Sequence, residues 1–136
     1  MTGVVLDASV VLKWFAPRRE RGARQARAIR TSYEEGQLRI VEPRLLVLEV
    51  LNVAGRRWGW GEPRLRALAG AVEELGFEFA LPEWTQVASW VARGLTAYDA
   101  VYVALAERRH LQLITDDATI TAMAPDIAVP LVPARR

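Results

Sequence analysis

Residues 94–117 read GLTAYDAVYVALAERRHLQLITDD, and the order of signals in that stretch decides the fold. Thr96 and Asp99 stand at the spacing that opens a helix, which the pattern predicts to carry Tyr98 to Arg109. Leu111 to Thr115 then reads as a short apolar strand closed by Asp116 and Asp117. A helix feeding a buried strand is one half of a βα repeat, and the rest of the chain supplies the other halves.

Working outward, Val4-Val5-Leu6 is a wholly apolar, β-branched run of the kind found in a central parallel strand, and it ends in Asp7. A helix is expected over 8–15, interrupted by Pro17, and a second over about 20–35 with Ala23, Ala26, Ile29 and Tyr33 inward. Leu38 to Val41 reads as a strand. Pro43 suits the first turn of the next helix, with Gly59 as its terminator. Glu62-Pro63 opens a helix to about Leu75, ended by Gly76; Phe77 to Leu81 is a strand; Glu83 to Arg93 is a helix capped by Gly94. A weak helix at 117–123 and a strand near Ile127 to Val132 complete the pattern. Alternating strands and helices predict an α/β fold, a mainly parallel sheet covered on both faces, in one domain over 1–136.

Composition narrows the chemistry. With 51% hydrophobic and 25% charged residues, the 136-residue chain is globular. It has no cysteine and one histidine, His110, so a thiolate zinc site or a Cys–His nucleophile is excluded. No apolar run approaches the ~20 residues of a membrane span, and no leader is apparent before VVLD, so a soluble, cytoplasmic protein is expected. No glycine-rich phosphate loop occurs.

Four apolar segments each carry a carboxylate where burial penalises charge: Asp7, Glu49 in LLVLEVLNVA, Asp99, and the pair Asp116-Asp117. Each has a structural alternative. Asp7 precedes a helix and suits a cap; Thr96-x-x-Asp99 is a capping box; Asp116-Asp117 suits an N-cap. Glu49 is harder to dismiss, since it lies mid-helix among Leu45, Leu46, Val47, Leu48, Val50, Leu51 and Val53, with only Asn52 as a polar companion on its face. All four alternatives must hold together for the acids to be incidental. Clustered oxygen ligands without His or Cys point instead to a hard divalent cation and chemistry on phosphate.

VVLDASVVLKWF, PRLLVLEVLNVA with its Glu-x-x-Asn, and GLTAYDAVYVALAERRHLQLITDD together resemble the PIN domain, specifically the VapC toxins of toxin–antitoxin pairs. The resemblance spans essentially the whole chain. It implies a three-layer α/β/α sandwich, an acidic site for Mg²⁺ or Mn²⁺, RNA cleavage, a homodimer and a cognate VapB-type antitoxin whose tail covers the site. Carried over by motif, the catalytic and metal-holding positions are Asp7, Glu49, Asp99 and Asp117, with Asp7 and Asp99 as direct ligands. Ser9, Asn52, Thr115 and Asp116 stand beside them as supporting positions. A phosphoacceptor receiver module shares the architecture, but its family pattern wants an acidic pair after the first strand and a late lysine; here Asp7 stands alone and Lys13 comes too early. A PIN nuclease of RNA processing without an antitoxin is the nearer alternative.

RNA also needs positive charge outside an acidic pocket. Arg21, Arg24, Arg27 and Arg30 recur every third residue and are the candidate phosphate-binding stripe; a solvated helix face is the alternative. The segment RRWGWGEP, with Arg56, Arg57, Trp58 and Trp60, reads either as core packing or as a partner surface.

Overall fold

The computed structural model describes residues 2–133; Met1 and residues 134–136, the ends of the domain assigned from sequence, lie outside the described residues. Five strands form one all-parallel sheet: β1 (Thr2–Leu6), β2 (Leu38–Glu42), β3 (Glu78–Phe79), β4 (Gln112–Thr115) and β5 (Ala128–Pro130). Their order is β3-β2-β1-β4-β5. The chain runs outward from β1 through β2 to β3, then returns past β1 to β4 and β5. Because parallel crossovers keep one hand, the helices of the outward and return runs fall on opposite faces, which gives the α/β/α sandwich. The receiver order, 2-1-3-4-5, is a different one.

Seven α-helices are described: α1 (Ala8–Val11), α2 (Ala23–Glu34), α3 (Leu45–Arg56), α4 (Glu62–Glu74), α5 (Trp84–Ala92), α6 (Ala97–Arg109) and α7 (Ala118–Met123). The helix expected over 8–15 is a single α-turn that tightens into a 3₁₀ turn at Leu12–Trp14. The Trp14 indole N–H donates to the Ala26 carbonyl at 2.8 Å, so this turn is fixed against α2. Gly22 begins α2 with φ +86°, a left-handed conformation that an L side chain resists, and a Cβ there would meet Leu131 at 3.0 Å. The strand expected over 77–81 shrinks to two residues at the sheet edge; Pro82, which has no N–H for a ladder, follows closely.

The core lies on both sides of β1, β2 and β4. Val5, Leu6, Val10, Val41, Leu46, Val50, Leu105 and Leu113 are fully buried, and Tyr102 is the largest fully buried side chain. β1 and β4 are direct neighbours, with Leu6 opposite Ile114 and the Asp7 N–H donating to the Ile114 carbonyl at 3.0 Å. Their carboxyl ends therefore share one rim, at the point where strand order reverses. Open parallel sheets place ligands at that switch.

Candidate active site

A cleft of about 760 Å³ opens at this rim, lined among others by Asp7, Ser9, Glu49, Asn52, Asp99 and Asp117. Four elements thus deliver one carboxylate each: the end of β1, the middle of α3, the first turn of α6 and the entry to α7. Among the described residues, no Lys or Arg forms an ion pair with any of these four acids.

Asp7 is buried, and although it occupies the cap position of α1 its side chain makes no capping bond. Instead Oδ2 accepts from Ser9 Oγ at 2.8 Å and from Thr115 Oγ1 at 2.9 Å. Those hydroxyls in turn accept from the backbone: Asp116 N–H to Ser9 Oγ, and Asp117 N–H to Thr115 Oγ1, both at 3.0 Å. Two short relays therefore tie the β4–α7 turn to one oxygen of Asp7. Burial holds the Asp7 carboxyl above its ordinary range despite these bonds, and the Asp117 charge adds to the rise.

Asp99 makes half of the expected capping box. Its N–H donates to Thr96 Oγ1 at 3.1 Å, while its carboxylate lines the cleft. Burial raises its pKa first, then the charges of Asp7 and Asp117. Asp117 does cap α7, its Oδ1 accepting from Thr119 N–H at 2.8 Å and Ile120 N–H at 3.3 Å. The cap engages a single oxygen, and the residue faces the cleft as well. Glu49 is half-buried and its pKa is raised by burial, then by Asp7 and Asp99. Its Oε1 accepts from the buried Tyr102 hydroxyl at 2.6 Å, and Tyr102 is itself held protonated by burial and by the Glu49 charge.

Asp116 points elsewhere. Lys13 binds it at 3.1 Å and Glu20 at 3.2 Å, with the lysine side chain only 6% exposed. Asn52 is exposed on the cleft wall. None of Arg21, Arg24, Arg27 or Arg30 lines the cleft. The first three are exposed, whereas Arg30 lies over the Trp14 and Phe15 rings at 5.5 and 5.7 Å and pairs with Glu34. Trp58 and Trp60 pack against each other and the core, and Arg64 lies 3.9 Å over Trp60. His110 ends α6 in a left-handed conformation, away from the acids.

Three buried polar features at or below the site escaped the sequence reading. Lys13 clamps the turn that carries Asp117; its being the sole lysine was the signal. Tyr102 orients Glu49, but in sequence it looks like one more apolar position of α6. Glu42 ends β2 fully buried, its Oε2 accepting from Leu6 N–H at 3.1 Å and its Oε1 without a partner among the described residues. Burial drives its pKa well above the ordinary carboxylate range. One test isolates the Tyr102 contact. Tyr102→Phe is expected to cost about 1 kcal/mol of stability, and to weaken metal affinity or turnover by roughly 10–100-fold, as loss of a ligand's supporting partner does. Chemical denaturation and metal titration on the same variant separate the two effects.

The donor set fits a hard divalent cation: Asp7, Glu49 and Asp99 have raised pKa values, no Lys or Arg among the described residues pairs with the four acids, and the cleft is open to solvent. Among the described residues no three acidic or histidine side chains stand close enough to enclose an ion.

Comparison with known proteins bears on the fold and the family. A family profile described as the PIN domain matches residues 4–124. Among solved structures, PAE2754 from Pyrobaculum aerophilum is similar at 24% identity over 96% of this chain and 90% of that one, with a TM-score of 0.66. VapC20 of Mycobacterium tuberculosis, described as a sarcin-ricin-loop-cleaving toxin, is similar at 16% identity over 88% and 93%, TM-score 0.66. FitAcB from Neisseria gonorrhoeae is similar at 19% identity over 93% and 95%, TM-score 0.64. No curated protein sequence matches. These likenesses establish the fold, and the profile match, running from the first strand through α7 and taking in all four acids, establishes that the chain belongs to the PIN domain family.

Proposed function

We propose that this protein is a divalent-metal-dependent endoribonuclease of the VapC kind, a toxin restrained by a VapB-type antitoxin. The observation that carries the reading is the convergence of Asp7, Glu49, Asp99 and Asp117, from four elements, on one cleft without a paired cation. Asp7 and Asp99 would hold Mg²⁺ or Mn²⁺ directly, with Glu49 and Asp117 acting through water. The ion supplies Lewis acidity and lowers the pKa of a bound water. The chain's own part is to fix the acids: Ser9 and Thr115 hold Asp7, Tyr102 holds Glu49, and Lys13 steadies the turn before Asp117.

The partner assignment rests on surface character. Leu81 and Trp84 are exposed beside an apolar groove formed with Pro43, Leu45 and Ala80, and Val91 is exposed as well. Such a surface suits a homodimer and an antitoxin contact. The exposed arginines Arg21, Arg24 and Arg27 would supply positive charge along the RNA's approach. No helix among the described residues is long and apolar enough to cross a membrane; the proposed action on RNA would itself place the protein in the cytoplasm.

Purified protein is expected to cut RNA with Mg²⁺ or Mn²⁺ and to stop in excess EDTA. Expression alone is expected to arrest growth, relieved by the product of a neighbouring antitoxin reading frame. Cleavage without growth arrest would favour the RNA-processing reading. Full activity of stringently metal-free protein would overturn the metal assignment.

A further inference from the structure

The acids form only part of the cleft. Its remaining lining includes Leu48, Arg57 and Tyr98, and Arg57 is the one cation among its lining residues. Arg57 is exposed and pairs with no carboxylate among the described residues, although four acids share its cavity. It caps the end of α3, eight residues beyond Glu49, or about two helical turns. That offset takes it past the acidic centre. Tyr98, which also lines the cleft, is 63% exposed and belongs to the same first turn of α6 as Asp99. Tyr98 and the 66%-exposed Leu48 give the cleft an apolar edge.

A polyanion entering this cleft meets four carboxylates and needs a local cation to hold it. Arg57 supplies it, about two helical turns along α3 from Glu49. A solvent-facing aromatic ring offers a stacking face to a base, and a base can use it only when unpaired. Resting on the ribonuclease reading, we infer that Arg57 and Tyr98 form a nucleotide clamp around the acidic centre. Arg57 takes a phosphate flanking the cleaved bond, and Tyr98 stacks on an adjacent unpaired base. Both are positioning residues that select single-stranded RNA; neither takes part in bond breaking.

The test uses the full chain with Mn²⁺ and one oligoribonucleotide, single-stranded or annealed to its complement. Arg57→Gln, Tyr98→Leu and Tyr98→Phe are compared with the parent for kcat, KM and salt dependence. Both sites are exposed, and melting curves check that folding is intact. Arg57→Gln is expected to raise KM at unchanged kcat and to lower the log–log salt slope by about 0.7, one single-strand phosphate contact. Tyr98→Leu is expected to raise KM roughly tenfold on the single strand, within the range for one stacked base. Tyr98→Phe is expected to restore it, and the duplex to be cut poorly by all proteins. Parental KM and salt slope in both variants, with the parent active, would overturn the clamp alone. A fall in kcat at constant KM would also overturn it, by placing the two residues in the chemical step. A parent that cuts no RNA with any divalent metal would sink the nuclease reading and the clamp with it.

Discussion

Asp7→Asn and Asp99→Asn are each expected to abolish RNA cleavage without lowering the melting temperature of the metal-free protein. Loss of activity should exceed the roughly 10–100-fold that follows removal of a supporting partner, because a proposed metal-holding oxygen loses its charge. Stability should move the other way. Asp7, Glu49 and Asp99 all have pKa values raised by burial and by neighbouring acids. A carboxyl whose folded pKa lies above its unfolded value binds protons more readily when folded. Its contribution is fully present below the unfolded value, about 4, and is lost as pH rises through the folded pKa. The metal-free parent should therefore be less stable at neutral pH than in mild acid, and each Asn variant should soften that loss. Melting curves across this pH range check it, and a variant markedly less stable than the parent at neutral pH would count against repulsion within the cluster.

Glu42 is expected to separate shape from charge. Glu42→Gln keeps an oxygen for the Leu6 N–H and removes the titration, so it should fold normally and gain stability over the parent as pH rises. Glu42→Ala leaves that N–H unpaired beside a new void and should cost about 2–4 kcal/mol. The sign follows from the raised pKa. Folding takes up a proton at Glu42, and that contribution disappears as pH rises through its folded value. Urea denaturation of parent and Gln variant, from about pH 5 to about pH 9, should show curves that diverge on the alkaline side. A Gln variant less stable than the parent at every pH would mean that the ionised carboxylate is needed.

The strand-and-helix order was legible in the sequence because it rests on local signals. Apolar runs such as Val4–Leu6, the Thr96 cap and the glycine stops depend on neighbours a few residues away. The four acids were legible because charge in an apolar segment is conspicuous. What the sequence concealed is long-range or is disguised by residue type. Lys13 meets Asp116 across the fold, and no local spacing reveals that pair. Glu42 falls one residue past the expected end of β2 and before a proline, where a glutamate ordinarily reads as a solvent-facing strand terminus. Tyr102 carries its hydroxyl inside an apolar helix face, so only the folded contact with Glu49 shows its polar use. The arginine stripe illustrates the limit of period counting. A spacing of three slips about 60° per step on a helix of 3.6 residues per turn, and by Arg30 the side chain has turned onto Trp14 and Phe15.

Thermal stabilisation by Mn²⁺ tests the central claim most directly, since it needs neither a known RNA nor an antitoxin. For the parent, a rising ion concentration should raise the melting temperature in the manner of a ligand bound only by the folded state, worth about 2.7 kcal/mol at a hundredfold excess over Kd. Asp7→Asn and Asp99→Asn should show a much smaller shift under the same titration. Equal shifts in all three proteins, or none in the parent, would contradict a metal site built on these carboxylates.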